Sequence, residues 1–192
     1  MEKLMIIDGN SIVNRAFYGI RLLTNSEGLY TNAIYGFLNI LFKYLEEENP
    51  DYLTVAFDLP GPTFRHEQFK EYKAHRKGMP DELAQQMPVL KEILSAMNID
   101  MLSLEGYEAD DIIGTVSTIC ENENKECVIL TGDRDDLQLA SDKTIIKLVT
   151  TKGGGSQTVD YSRREVEEKY GITPKEFIDV KALMGDASDN IP

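Results

Sequence analysis

The chain has 192 residues, 42% of them hydrophobic and 28% charged, which is enough for one substantial core and too little for two ordinary domains. No run approaches the roughly 18 consecutive apolar residues that a membrane helix needs, and the start Met1-Glu2-Lys3 lacks the basic-then-apolar order of a secretory signal, so a cytoplasmic protein is expected. With 33 acidic against 20 basic residues the net charge is -13, which excludes a general attraction to nucleic-acid backbones and leaves only local basic patches to make one.

In chain order, KLMIID (3–8) reads as a short apolar strand ending in an acid. Thr31 is a candidate N-cap for a helix to Asn49, in which Ile34, Phe37, Leu38, Leu41, Phe42 and Leu45 form one apolar stripe at helical spacing. YLTVAFD (52–58) is the second strand, and the charged stretch 64–78 that follows is predicted helical. Another stripe runs from Leu83 through Met97 and must accommodate Pro88. DMLSL (100–104) is the third strand. Ala109, Ile112, Ile113, Val116, Ile119 and Cys120 mark the next helix, followed by strands CVILT (127–131) and TIIKLV (144–149). The glycine-rich Lys152 to Gln157 lacks the residue order of a phosphate loop and is expected to be a flexible hairpin connection. Cys120 and Cys127 have neither metal-ligand nor redox spacing and read as buried free thiols. Strands alternating with helices predict an α/β fold, a mostly parallel central sheet flanked by helices.

In open α/β sheets ligands bind beyond the carboxyl ends of the strands, and here those ends are acidic. Asp8 closes the first strand, Asp58 the second, and the fourth runs into Asp133 and Asp135. Glu108, Asp110 and Asp111 follow the third, and Asp186 and Asp189 lie in the closing GDASDNIP. Taken singly, an acid before a helix is more often a cap than a ligand, and Asp8, followed by Gly-Asn-Ser, reads first as a cap. Taken together, so many carboxylates on one sheet edge cannot all stay ionised without positive charge among them. Hard oxygen donors suit magnesium or manganese; zinc would want His and Cys, and His66 and His75 stand away from the strand ends. Two such cations about 3.5 to 4 Å apart form the recurrent clamp for in-line displacement at phosphorus. No nucleophile elbow or Cys-His pattern offers a competing chemistry, and Asp8-Gly9-Asn10 is not the D-x-D of an aspartyl phosphatase.

The basic counterpart is local. Residues 64–78, FRHEQFKEYKAHRKG, carry Arg65, Lys70, Lys73, Arg76 and Lys77 against Glu67 and Glu71, with Phe69 and Tyr72 interleaved. Cations that hold phosphates beside aromatic rings that stack bases are the marks of a single-strand surface; a solvated charged helix is the competing reading. Arg15 is a further candidate phosphate contact.

These stretches resemble the 5′ to 3′ exonuclease domain found at the N-terminus of bacterial DNA polymerase I, and the wider flap endonuclease group with its PIN-like fold. The matching segments are DGNSIVNRAFYG from Asp8, YGFLNIL from Tyr35, VAFD ending at Asp58, FRHEQFKEYKAHR from Phe64, GYEADDIIGT from Gly106, TGDRDDLQL from Thr131 and LMGDASDNIP from Leu183. The resemblance spans essentially the whole chain, 1–192, in order.

It implies a two-metal-ion 5′–3′ deoxyribonuclease acting in DNA replication and repair on DNA with a 5′ end or 5′ flap, with two Mg2+ or Mn2+ ions as cofactors. Asp8, Asp58, Glu108 and Asp110 would hold the first ion, and Asp111, Asp133, Asp135, Asp186 and Asp189 would surround the second. Tyr72, Lys73 and Arg76 match the gateway segment, 64–78, that positions the scissile phosphate, and Arg15 and Arg65 match further phosphate contacts. On this reading Lys73, Arg76, Asp110 and Asp133 carry the chemistry, and a polymerase domain would belong to a longer natural chain. Family members continue past the GD-x-SDN-IP element into a helix-hairpin-helix that grips duplex DNA and a potassium ion. The sequence here lacks that element after Pro192, so weak anchoring, little preference for flaps and little response to potassium are expected. A PIN-like ribonuclease acting on single-stranded RNA and an acidic, non-catalytic binding module are the alternatives.

Overall fold

The computed structural model describes residues 1–152 and 155–192. Lys3–Asp8 forms β1, in which Met5, Ile6 and Ile7 are all fully buried. A strand with no solvent-facing side is what a parallel sheet covered on both faces requires. β2 (Tyr52–Ala56) and β4 (Glu126–Thr131) flank β1 in parallel, β3 (Asp100–Leu102) adds outside β2, and β5 (Thr144–Lys152) outside β4. β6 (Gly155–Tyr161) closes the edge antiparallel to β5, for the order β3-β2-β1-β4-β5-β6. The expected mostly parallel α/β sheet is therefore the fold. Its winding reverses between β1 and β4, and at such a switch point the connections leave toward opposite sides and open a crevice beyond the strand ends.

Helices cover both faces. α1 (Gly9–Gly19) and α2 (Asn32–Glu48) lie on one side, followed after the short α3 (Phe64–Gln68) and α4 (Asp81–Ala84) by α5 (Gln86–Ala96). On that side Phe37, Leu41, Leu90 and Leu94 pack with Met5, Ile7, Val55 and Leu130. On the other, α6 (Ala109–Asn122), α7 (Arg163–Tyr170) and α8 (Glu176–Met184) bring Ile113, Val166 and Phe177 against Ile6, Ile129 and Ile146. Truncating a fully buried ring such as Phe37 to alanine costs about 3–5 kcal/mol in cores of this kind. Cys120 and Cys127 are buried free thiols, as expected. Among the described residues no helix is long and apolar enough to cross a membrane.

Several elements differ from the sequence reading for local physical reasons. Phe42 is exposed and Tyr44 is buried in its place, because Phe42 lies about 100° round the helix from the buried Leu41. Thr31 occupies the N-cap of α2 without a side-chain bond; instead Gln86 Oε1 accepts from the backbone N–H groups of Ala33 at 2.8 Å and Ile34 at 3.3 Å. The apolar run from Leu83 to Met97 is split at Gln85, which lets Pro88 fall in the first turn of α5, where its missing N–H deprives no carbonyl. The second and third strands stop at Ala56 and Leu102, so Asp58 stands two residues past its strand. Only Phe64–Gln68 of the expected 64–78 helix is helical; Tyr72 turns into the core region and Lys73 adopts φ 55, a left-handed conformation that ends any helix. β6 takes in the end of the expected connection at Lys152–Gln157, and Gly153 and Gly154 lie outside the described residues.

Candidate active site

The crevice at the switch point holds the site. Asp8, the last residue of β1, caps α1: its Oδ1 accepts from Ser11 N at 3.0 Å, and its Oδ2 accepts from the Thr131 hydroxyl at 2.9 Å. The cap and the cluster readings of Asp8 are thus both true of one side chain, which bridges the ends of β1 and β4. Asp58 is held by its neighbours across the crevice, its Oδ1 accepting from Ala109 N at 2.7 Å while its own N–H donates to Asn10 Oδ1 at 3.2 Å.

Glu108 is the N-cap of α6 in a reciprocal capping box with Asp111, whose Oδ2 accepts from Glu108 N at 2.9 Å. That arrangement turns the Glu108 carboxylate back over the cleft, where Lys73 Nζ donates to it at 2.7 Å and Tyr72 Oη at 3.0 Å. Asp111 faces away from the cleft and is gripped by both Nη atoms of Arg65 at 2.8 Å. Asp110, the second residue of the same helix, lines the cleft beside Asp8.

Beyond β4, Gly132 leaves room for Arg15: a Cβ there would run into the Arg15 side chain and the Ser11 hydroxyl and force them to shift. Arg15 lies beneath this loop and donates from Nη2 to Gly132 O, which fixes the backbone leading to Asp133. Asp133 N and Asp135 N are tied in turn to Thr131 Oγ1 at 3.0 Å and Asp133 Oδ1 at 2.9 Å. The 3-10 turn Asp135–Leu139 then sends adjacent acids in opposite directions. Asp135 meets Lys181 at 3.0 Å, whereas Asp136, only 3% exposed, points inward. Lys181 also reaches Asp186 at 3.1 Å. The C-terminal loop is folded on itself by Asp186 Oδ1, which accepts from Ser188 N, Ser188 Oγ and Asp189 N. It is joined to the gateway segment by Lys73 N donating to Asp189 O at 2.9 Å, by the Tyr72 hydroxyl, whose Oη lies 3.1 Å from Asp189 Oδ2 and whose one proton is shared between Asp189 and Glu108, and by an Arg76–Asp189 ion pair.

Of the residues singled out in the sequence, Asp8, Asp58, Glu108, Asp110, Asp133, Asp135, Asp186 and Asp189 line one cleft of about 230 Å³, together with Lys73 and Arg76. Asp111, Arg65, Tyr72 and Arg15 stand behind that lining: the first two pair with each other, Tyr72 is 7% exposed, and Arg15 supports the Asp133 loop. Thr131, Asn10, Lys181 and Asp136 were not anticipated. Thr131 and Asn10 lie within TGDRDDLQL and DGNSIVNRAFYG, where their polarity beside an acid is a local signal; Lys181 lies on α8, and nothing local reveals that it meets Asp135 and Asp186.

Two electrostatic regimes coexist. Burial pushes the Asp8 carboxyl up to about 6 against the lowering effect of its Ser11 and Thr131 bonds. Asp110 reaches solvent through the mouth of the cleft, yet the surrounding protein, and then the charges of Asp8, Asp133 and Asp58, push it up to about 8. Asp136 is driven well above the carboxylate range by burial and by Asp110 and Asp8. Behind the lining, the Arg65 fork holds Asp111 low, and on the rim the Ser188 hydroxyl with Lys181 holds Asp186 well below the usual range. Asp8, Asp110 and Asp136 each place one oxygen so that all three lie within 4.8 Å of one another, and Asp136 Oδ2 is buried without a hydrogen-bond partner. An all-oxygen donor set with an orphaned carboxylate oxygen fits a hard divalent cation.

Residues 3–171 match the family described as 5′-3′ exonuclease, N-terminal resolvase-like domain. DNA polymerase I of Bacillus subtilis (strain 168) is 49% identical over 191 residues, covering 100% of this chain and 22% of its own, so the chain spans about a fifth of that relative. Among solved structures, T5 5′-exonuclease with bound divalent zinc ions superposes with a TM-score of 0.75 at 24% identity, covering 100% of this chain and 69% of the other. The bacteriophage T5 flap endonuclease in a pseudo-enzyme-product complex with DNA and metal ions gives 0.74 at 22%, covering 98% and 68%. At these identities the two structures speak for the shared fold, while the family match and the polymerase relative cover the sequence itself: the chain belongs to the 5′-3′ exonuclease N-terminal, resolvase-like domain family.

Proposed function

We propose that the chain hydrolyses DNA phosphodiester bonds from a 5′ end or at a 5′ flap, using two magnesium or manganese ions held by the acids of the cleft, as the nuclease part of a DNA polymerase I. The observation that carries this reading is the convergence of acids from the ends of β1, β2 and β4, the start of α6 and the C-terminal loop on one cleft whose opposite wall supplies Lys73 and Arg76. Family membership, and relatives named DNA polymerase I, support it. Bound there, such ions would supply an activated water and neutralise charge on the scissile phosphate.

The chain's own residues do the rest. Asp8, Asp58, Glu108 and Asp110 form one group around the switch point, and Asp133, Asp135, Asp186 and Asp189 a second toward the mouth. Asp111 and Arg65 lock the start of α6, which aims Glu108 and Asp110. Lys73 and Arg76 now neutralise Glu108 and Asp189; exchanging those partners for a phosphate places two cations where negative charge builds up during displacement. At a net charge of -13 the substrate is drawn by these few cations, so binding is sensitive to salt. The test is a 5′-labelled flap duplex incubated with magnesium, with manganese and with chelator. Cleavage that persists in chelator, or none with either ion, sinks the proposal.

A further inference from the structure

We infer that Asp136 is a direct oxygen ligand of the divalent cation seated between Asp8 and Asp110, an added ligand reaching up from beneath the lining of the cleft; the inference rests on the metal-dependent reading above. Asp136 is not among the acids that the family resemblance marks in TGDRDDLQL, which are Asp133 and Asp135. Its placement nevertheless sets it apart. It is 3% exposed, its Oδ2 has no hydrogen-bond partner, and one of its oxygens lies within 4.8 Å of an oxygen of Asp8 and of Asp110.

Among the described residues no group donates to that oxygen. The Thr131 hydroxyl beside it spends its one proton on Asp8 Oδ2 at 2.9 Å. The cations around the cleft are engaged with outer acids, Lys73 with Glu108, Arg76 with Asp189, Arg65 with Asp111, and Lys181 with Asp135 and Asp186. A buried carboxylate oxygen with neither donor nor cation is costly. Oxygens bound to one magnesium at about 2.1 Å lie about 3 to 4.2 Å apart, depending on whether they are adjacent or opposed. Three oxygens mutually within 4.8 Å need only side-chain adjustment to close on a single hard cation, and the third carboxylate adds a full charge to that grip.

The test reads metal rather than turnover. Mn2+ titrations by calorimetry compare wild type, Asp136→Asn and Asp110→Asn. Asp136→Asn is expected to weaken the tighter Mn2+ site by about tenfold or more, in the range seen when a metal site loses a supporting group. It should also shrink the Mn2+-induced rise in melting temperature while leaving the metal-free melting temperature equal or higher. Mn2+ affinity unchanged in Asp136→Asn, with Asp110→Asn impaired, overturns the assignment. A wild-type crystal soaked in Mn2+ gives an independent answer that does not depend on any variant folding. An anomalous peak about 2.2 Å from an Asp136 oxygen is expected, and one more than about 3.5 Å away overturns it. Wild-type protein that binds Mn2+ through Asp136 but leaves DNA intact sinks the nuclease reading and keeps the ligand. Protein that cuts DNA with Asp136 outside the metal shell does the reverse.

Discussion

At and just beneath the floor of the cleft Asp8, Asp110 and Asp136 crowd together with no ion pair among the described residues, whereas around it Asp111 behind the lining and Asp186 and Asp189 on the rim each have a cation in contact. The residue type is identical and the consequence is opposite. Rim acids are satisfied within the protein, so they hold shape: they join α6, the gateway segment and the C-terminal loop to one another. Floor acids have no such partner, and burial with mutual repulsion raises their hold on protons, which keeps the uncompensated charge small until something positive arrives. A site of this kind is recognised by what its acids lack.

The sharpest way to break this contrast is to neutralise a floor or mouth acid. Asp110→Asn and Asp133→Asn should each lower the rate of DNA hydrolysis by about 10³-fold or more, the scale of several kcal/mol of lost metal-borne charge stabilisation. Thermal denaturation of the metal-free variants should show stability equal to or above wild type, since a repelling charge has been removed. Wild-type turnover in either variant would take that residue out of the mechanism.

Next in size, Lys73→Ala and Arg76→Ala should each slow cleavage by about 10²-fold, typical of losing one donor to transition-state charge, while Mn2+ affinity holds or improves because a competing cation is gone. If both cut at the wild-type rate, the gateway segment is only a solvated charged surface.

A pH titration separates floor from rim in the intact chain. The folded Asp8 and Asp110 carboxyls, pushed up to about 6 and about 8, hold protons that the unfolded chain gives up near pH 4, by roughly the ordinary carboxylate value. The metal-free protein should therefore be most stable below about pH 4 as far as these two groups are concerned and lose that contribution as pH rises to about 8. Saturating magnesium should flatten or reverse the slope, because only deprotonated acids bind it. Melting curves across this window with and without magnesium decide it; identical slopes would mean the floor acids bind no metal.

The smallest effect is expected at Lys181. Lys181→Met removes the cation shared by Asp135 and Asp186, both partly exposed pairs, so the stability loss should stay near or below about 1 kcal/mol. Mn2+ affinity should rise as two rim acids become free. A fall in affinity would show that the rim pairing builds the metal site instead of competing with it.

Periodicity, residue type and order along the chain determined most of the architecture and nearly all of the cleft's membership. Continuous apolar runs ending in acids gave parallel strands whose carboxyl ends carry Asp8, Asp58 and Asp133, the stretch after the third strand and the closing GDASDNIP supplied Glu108, Asp110, Asp186 and Asp189, and the resemblance of whole segments divided these acids between two ions. Tertiary structure decided what spacing has no access to. Strand order, with its reversal between β1 and β4, places the crevice. Whether 64–78 is helical depended on bonds from Tyr72 and Lys73 to Glu108 and Asp189, residues at least 35 positions away, which outweigh local propensity. The choice of which acids meet a cation was also made in three dimensions: Asp110 and Asp111 are neighbours in sequence, as are Asp135 and Asp136, yet each pair splits between floor and rim because successive residues of a helical turn point about 100 to 120° apart. A one-dimensional reading sees two equal charges there; only packing determines which of them keeps its oxygen bare.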